Sequence, residues 1–163
     1  MANISLDEYR ALFRNHPGGV AVITVGGERL AGFTATSVIS VSAEPPLLVF
    51  SINKTSSSWP IVAEAKSAVV HFLSKHDRPI ADRFATSGID RFADLDYTVL
   101  ETGEPLISGV ETWAQGTFID RVEAGSSVLF VMQIETSSAA EAHPPLVYQA
   151  RNYYHLNETN QIS

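Results

Sequence analysis

The stretch Val20-Ala21-Val22-Ile23-Thr24-Val25-Gly26-Gly27 decides the fold more than any other part of the chain. Its β-branched residues favour a strand, and the two glycines favour a turn into a second strand over residues 30–36, so a hairpin is predicted. Short runs of similar composition recur along the chain. Further strands are predicted over residues 47–52, 67–73, 98–101, 111–122, 128–136, 146–148 and 153–156.

Helices are predicted in three places only. Ser5-Leu6-Asp7-Glu8 fits a capping box, so a helix begins there and ends near residue 15. A Ser cap and an early proline predict a helix over residues 59–65, and Asp77 is the expected cap of a helix over residues 77–86. The chain thus has nine predicted strands, and its three short helices are too few to cover both faces of a parallel sheet. The pattern therefore predicts a mainly β fold, a barrel with appended helices.

Composition restricts the class of protein. The 163 residues correspond to one domain, and 45% apolar with 18% charged residues is typical of a globular chain. Eleven basic against 18 acidic residues give a net charge of −7, which argues against nucleic acid and anionic membranes as partners. The absence of cysteine, of a signal peptide and of a long apolar run predicts a cytoplasmic protein without disulfides.

Several common sites are missing from the sequence. No Rossmann or P-loop glycine pattern occurs in the sequence. The paired glycines precede predicted strands, whereas a phosphate-binding glycine loop opens a helix. The five histidines have no ligand-like spacing, so no metal site is predicted, and no nucleophile elbow is present.

Hydroxyl side chains are dense after two predicted strands. Thr34, Thr36, Ser37, Ser40 and Ser42 follow the second strand, and Ser51 and residues 55–58 follow the third. Hydroxyls and loop N–H groups can bind a phosphate and a sugar, so the two clusters form a candidate ligand site. The alternative interpretation is that threonine favours strands and serine favours turns wherever they occur.

The order of these segments resembles the flavin reductase family of FMN-binding split barrels. The resemblance runs from about residue 14 to residue 156. It rests on residues 19–24 (GVAVIT), 32–38 (GFTATSV), 40–42 (SVS), 45–49 (PPLLV), 53–59 (NKTSSSW), 83–85 (RFA), 90–92 (DRF) and 145–148 (PLVY). The resemblance implies a single domain with an N-terminal helix (1–15), a split barrel (20–156) and a tail (157–163).

The resemblance also implies an activity and a site. Members of the family transfer hydride from NADH or NADPH to FMN or FAD, are homodimers, and often supply reduced flavin to a monooxygenase. The flavin-binding residues that the resemblance implies are Thr34, Ala35, Thr36, Ser37, Val38, Ser51, Ile52, Asn53, Ser57, Ser58, Arg83, Phe84 and Ala85.

One segment departs from the family pattern. Gly125-Ser126-Ser127 stands where family members commonly carry Gly-Asp-His, so the imidazole expected beside the nicotinamide is missing. The resemblance places nicotinamide contacts at Ser127, Arg151, Tyr153 and His155, and His155 is the candidate catalytic replacement. Two alternatives stay open: a flavin-binding carrier or sensor that does not react with NAD(P)H, and a flavin-dependent enzyme acting on another substrate.

Overall fold

A computed structural model describes residues 3–139 and 143–163, and within them the chain is mainly β, as predicted. Three α-helices are present in these residues: α1 (Leu6–Arg14), α2 (Trp59–Val62) and α3 (Arg78–Ala85). Single 3₁₀ turns lie at Lys75–Asp77 and Glu158–Asn160. No helix in the described ranges is long and apolar enough to span a membrane.

Twelve strands are described, and all pair antiparallel. The strands are β1 (Gly18–Gly19), β2 (Ala21–Val25), β3 (Ala31–Ala35), β4 (Ile39–Ala43), β5 (Pro46–Asn53), β6 (Ser67–Phe72), β7 (Tyr97–Val99), β8 (Pro105–Ile107), β9 (Trp113–Ala124), β10 (Ser127–Ser138), β11 (Leu146–Gln149) and β12 (Asn152–His155). Seven form one sheet in the order β3-β2-β6-β9-β10-β5-β4. A three-stranded sheet β1-β11-β12 and the pair β7-β8 pack beside it.

The seven-stranded sheet curls on itself. In a flat sheet β3 and β5, five strand spacings apart, would be separated by roughly 24 Å. The ring centroids of Phe33 on β3 and Phe50 on β5 are only 6.1 Å apart. Apolar side chains from β2, β3, β5, β6 and β10, among them Ile23 and Phe130, share one buried core. The sheet therefore has the barrel-like closure that the sequence predicts.

A second core lies outside the barrel. Val20, Val22 and Leu73 pack there against Phe84 of α3 and Leu146 of β11. This core attaches α3 and the three-stranded sheet to the barrel. It fixes the position of α3 beside the end of β3.

The structure corrects several details of the prediction. The described residues form twelve strands instead of the nine predicted, because β4, β8 and the two-residue β1 are short or exposed segments without a clear apolar pattern. Ser40 and Ser42 lie in β4, an edge strand, and not in a loop after β3. Helix α2 ends at Val62, and its cap residue Ser58 makes no side-chain capping bond. Asp77 is the N-cap residue of α3, as predicted, but its carboxylate accepts bonds from Ser74 and makes no capping bond to α3.

Candidate functional site

A cleft of about 480 Å³ lies where β3, β5 and α3 end together. Because β3 and β5 meet through closure of the barrel, most members of the two hydroxyl clusters share this cleft; Ser40, Ser42 and Ser58 do not line it. Ten of the expected flavin-binding residues line it: Thr34, Ala35, Thr36, Ser37, Ser51, Ile52, Asn53, Ser57, Phe84 and Ala85. The lining also includes five residues outside the expected set: Phe33, Thr55, Ser56, Ser87 and Arg91.

Helix α3 forms one wall of the cleft because β3 lets it approach closely. A Cβ on Gly32 would lie 2.6 Å from Cε1 of Phe84, so only glycine leaves room for this buried ring. The hydroxyl of Thr34 donates to the carbonyl of Ala81 at 2.6 Å and links β3 to α3. The Thr34 hydroxyl proton is therefore used to position the helix.

The ends of β3 and β5 are joined by a serine. The Ser37 hydroxyl accepts from the N–H of Ser51 at 3.1 Å and donates to the Ser51 carbonyl at 3.3 Å. A side chain with both bonds made holds the shape of the cleft. Ser37 thus acts first as a link between strands, with a lone pair left for a ligand.

The loop after β5 is ordered by its own side chains. Oδ1 of Asn53 accepts from the N–H and the hydroxyl of Thr55 at 2.9 and 2.8 Å, which is an Asx turn. Nδ2 of Asn53 donates to the Ser126 hydroxyl at 3.3 Å, and Lys54 forms an ion pair with Glu123. These contacts attach the loop to the β9–β10 turn, where this chain departs from the family pattern.

Arg91 supplies the positive charge of the cleft. Its guanidinium donates to the carbonyl of Gly32 at 2.7 Å, to the carbonyl of Thr86 at 2.9 Å and to the Ser58 hydroxyl at 3.0 Å. Partial burial lowers the pKa of Arg91 from its ordinary value. No acidic side chain within residues 3–139 and 143–163 pairs with it. A cation that is held in place without a carboxylate partner suits an anionic ligand.

Arg91 is the functional residue that sequence reasoning missed. The motif Asp90-Arg91-Phe92 supported the family resemblance, but nothing local indicates where its guanidinium lies. Its partner Gly32 is 59 positions away in the chain. Only the fold brings the two together.

Three expected flavin-binding residues do not line the cleft. Val38 packs against the barrel core. The buried Ser58 donates to the Gly32 carbonyl at 3.0 Å. Arg83 donates to the carbonyls of Arg91 and Ala93, so it holds the Arg91 loop against α3. All three contact the core or the elements that form the cleft, without lining the cleft themselves.

The four expected nicotinamide contacts are spread over the molecule. Ser127 pairs with Asn53 across β10 and β5, which places it at the edge of the cleft. Arg151 lies in the β11–β12 turn and lines a second cleft of about 650 Å³. Tyr153 packs on the second core with the Arg78 guanidinium 5.5 Å from its ring centre. His155 is exposed, pairs with Leu146 at the far end of β12, and lines neither cleft.

Tyr153 is held as a neutral phenol. Its pKa is raised first by burial and then by the nearby Asp82 carboxylate and Tyr148, while Arg78 acts in the opposite direction. A half-buried ring between the three-stranded sheet and α3 is a packing residue. The position of Tyr153 therefore fits a structural part better than a direct ligand contact.

Comparison with known proteins gives a consistent assignment. Residues 13–157 match the model of the flavin reductase like domain. An NADH:FMN oxidoreductase of Rhodococcus erythropolis is 41% identical over 157 residues, with 93% of this chain and 82% of the relative covered. The reductase component of a flavin-dependent trigonelline monooxygenase of Acinetobacter baylyi is 36% identical, covering 82% of this chain and 44% of that protein.

A solved structure agrees with the sequence relatives. The flavin reductase domain protein of Arthrobacter sp. FB24 superposes with a TM-score of 0.88 at 32% identity, covering 93% of this chain and 95% of the other. The split-barrel fold expected from the sequence is thereby confirmed. This chain, with its hydroxyl-lined cleft and its half-buried arginine, belongs to the family of flavin reductase like domains.

Proposed function

We propose that this protein is an NAD(P)H:flavin oxidoreductase that reduces FMN or FAD and supplies the reduced flavin to a monooxygenase. The observation that carries the proposal is the cleft between β3, β5 and α3, where hydroxyls and one unpaired arginine face the same space. The relative at 41% identity, named NADH:FMN oxidoreductase, favours NADH and FMN as the substrates.

The residues of the cleft fit a flavin. Arg91 and the hydroxyls of Thr36 and Ser57 would hold the phosphate, since a guanidinium and hydroxyls are common phosphate donors. Phe33 and Phe84 supply an apolar wall for the ring system. When bound, the flavin supplies the redox chemistry by accepting hydride from the dinucleotide. The work of the protein is to orient the two molecules.

The dinucleotide side of the site is proposed around Ser127 and Arg151. Ser127 borders the cleft through its pairing with Asn53, and it has a hydroxyl where the family pattern implied by the resemblance has an imidazole. Because His155 lines neither cleft of its own chain, it can reach a bound dinucleotide only from a second protomer. The catalytic assignment of His155 therefore depends on the proposed homodimer.

The proposal includes partners and a compartment. The Acinetobacter relative is named as the reductase component of a monooxygenase, which supports a separate oxygenase as the recipient of reduced flavin. A homodimer would cover the exposed apolar side chains of α1. The cysteine-free composition supports the cytoplasm.

Steady-state oxidation of NADH and NADPH with FMN, FAD or no added flavin tests the proposal. Flavin-dependent oxidation is the expected result. Ser127 in place of the usual histidine favours a second candidate, a flavin-binding protein that does not react with NAD(P)H. Quenching of flavin fluorescence without any NAD(P)H oxidation would select that candidate.

A further inference from the structure

Arg83 on α3 is a half-buried arginine that does not line the flavin cleft. The family resemblance implies that Arg83 contacts the flavin, yet its hydrogen bonds go to the loop after α3. Its Nη1 donates to two backbone carbonyls, to that of Arg91 at 3.2 Å and to that of Ala93 at 2.5 Å. One guanidinium nitrogen has two hydrogens, so it can donate to both carbonyls at once. Arg83 therefore connects the helix to the segment that carries Arg91.

The carbonyls of residues 90–93 alternate between two kinds of partner. The first and the third accept from backbone N–H groups further along the chain, at 3.3 and 3.2 Å, and so close two tight turns. The second and the fourth accept from Arg83. Within the part of the chain that the structure describes, no other group donates to these two carbonyls. Replacing Arg83 would thus remove this link between the two turns and α3.

The side chain of Arg91 is fixed by its own hydrogen bonds. Nε donates to the Thr86 carbonyl at 2.9 Å, and Nη1 donates to the Gly32 carbonyl at 2.7 Å and to the Ser58 hydroxyl at 3.0 Å. Nη2 donates to the hydroxyl of Ser57, a residue of the cleft, over a long distance of 3.4 Å. A guanidinium has five N–H donors, and four of them are used in this way. The fifth, on Nη2, remains for a ligand in the cleft.

A guanidinium with one free donor binds an anion well only if that donor is aimed correctly. Charge-assisted hydrogen bonds are strong, but hydrogen bonds weaken steeply when the angle at the hydrogen closes. The direction of Nη2 depends on where the main chain of Arg91 lies, and Arg83 holds that main chain. The geometry of the anion contact therefore depends on a residue that lies outside the cleft.

We propose that Arg83 is a positioning residue that gives the cleft its preference for phosphorylated flavins. It fixes the main chain of Arg91 and thereby directs Nη2 of Arg91 to the phosphate, without touching the ligand itself. The inference rests on the proposed function, because that function brings a flavin to the cleft. FMN and FAD carry the phosphate, and riboflavin has the same ring system without it. This role differs from the direct flavin contact that the resemblance implies for Arg83.

Fluorescence titration with FMN and with riboflavin tests the inference. Wild type should bind FMN more tightly than riboflavin. Arg83→Met should weaken FMN binding by about tenfold, the loss expected for a charge-assisted contact, and should change riboflavin binding by less than about twofold. Arg78→Met is the matched control, because it removes another arginine of α3, one in an exposed ion pair with Asp82. This control should bind both flavins like wild type.

A double-variant cycle separates positioning from direct contact. If Arg83 acts through Arg91, then Arg83→Met should cause little further loss of FMN affinity in a chain that already carries Arg91→Met. The two losses are then not additive, as expected for groups that act as one unit. Full additivity would show that Arg83 acts on the phosphate independently and would overturn the inference. Equal losses for FMN and riboflavin would overturn it as well, since Arg83 would then act on the cleft as a whole.

The two flavins also guard against misfolding and separate this inference from the proposed function. Riboflavin binding by Arg83→Met shows that its cleft is intact. If Arg83→Met does not fold, Arg83→Lys alone and combined with Arg91→Met gives the same comparison, with a smaller expected loss. Wild type that binds neither flavin would overturn the proposed function. Wild type that binds FMN, together with Arg83 variants that bind FMN equally well, overturns the inference alone.

Discussion

At the scale of single residues, Arg91 is the group on which phosphate recognition depends. Replacing it by methionine removes the guanidinium and its charge but keeps an unbranched side chain that can fill the space of the arginine stem. We expect Arg91→Met to weaken FMN binding by about 1.5–3 kcal/mol, as for other hydrogen bonds to charged groups. Fluorescence titration with riboflavin, which has no phosphate, is the control and should change much less. An equal loss for both flavins would show that Arg91 acts only on the shape of the loop.

His71 is the subject of a second prediction at this scale, which concerns the free energy of unfolding and its dependence on pH. The ring is fully buried, its Nδ1 lies 3.0 Å from the Val22 carbonyl, and Nε2 accepts from the N–H of Ile107 at 3.0 Å. Burial lowers the pKa of His71 from 6.5 to about 4, while the Val22 contact acts weakly in the other direction. The native ring is therefore neutral, with its proton on Nδ1.

The sign of the pH effect follows from this shift. Between pH 6.5 and about 4 the unfolded chain binds a proton at His71 that the native state does not bind. The stability that His71 provides is complete above pH 6.5 and is lost as the pH falls towards 4, by about 3 kcal/mol in all. Urea unfolding across this range should give a shallower pH dependence for His71→Gln than for wild type. Identical slopes would contradict the assignment.

At the scale of elements, the approach of α3 to β3 shapes the cleft. The Cβ added by Gly32→Ala would meet the buried Phe84 ring, so helix and strand must separate. We expect a loss of about 1–3 kcal/mol in the free energy of unfolding, typical of overpacking, together with weaker FMN binding. Gly19→Ala is the matched control, because a Cβ there has no atom within 4 Å. Normal stability and flavin binding in Gly32→Ala would mean that α3 does not form a fixed wall.

The sequence predicts an element well when the residues that determine it are neighbours in the chain. The capping box of α1 is visible in four consecutive residues, and the structure contains both of its reciprocal bonds. Strand β2 is predicted because its five residues are apolar or β-branched, and all five are buried. Strand β4 was missed because Ser40 and Ser42 alternate with the exposed Ile39 and Val41 at a sheet edge, so no core-facing pattern forms.

The residues of the candidate site also fall into two groups, those with a local signal in the sequence and those without one. The hydroxyl clusters after two strands are visible in sequence, and barrel closure brings them to one cleft. The contact between Arg91 and the Gly32 carbonyl joins residues far apart in the chain. That contact requires the fold and has no local signal.

At the scale of the whole molecule, the exposed apolar side chains of α1 predict self-association. Leu6 and Leu12 are 61% and 66% exposed, and Leu12 lines neither cleft. Light scattering should give twice the 17.7 kDa of one chain. Leu12→Glu should shift the mass towards one chain without unfolding, since the side chain is already in water. A wild-type monomer with flavin bound would contradict the homodimer.

The proposed activity concerns the complete assembly, since flavin, dinucleotide and protein must meet in one place. The most direct test is anaerobic mixing of FMN-loaded protein with NADH while the oxidised flavin absorbance is followed. We predict complete loss of that absorbance, faster than for free FMN with NADH, with one NADH consumed per flavin. Bound FMN that stays oxidised with both NADH and NADPH would contradict the assignment as a flavin reductase.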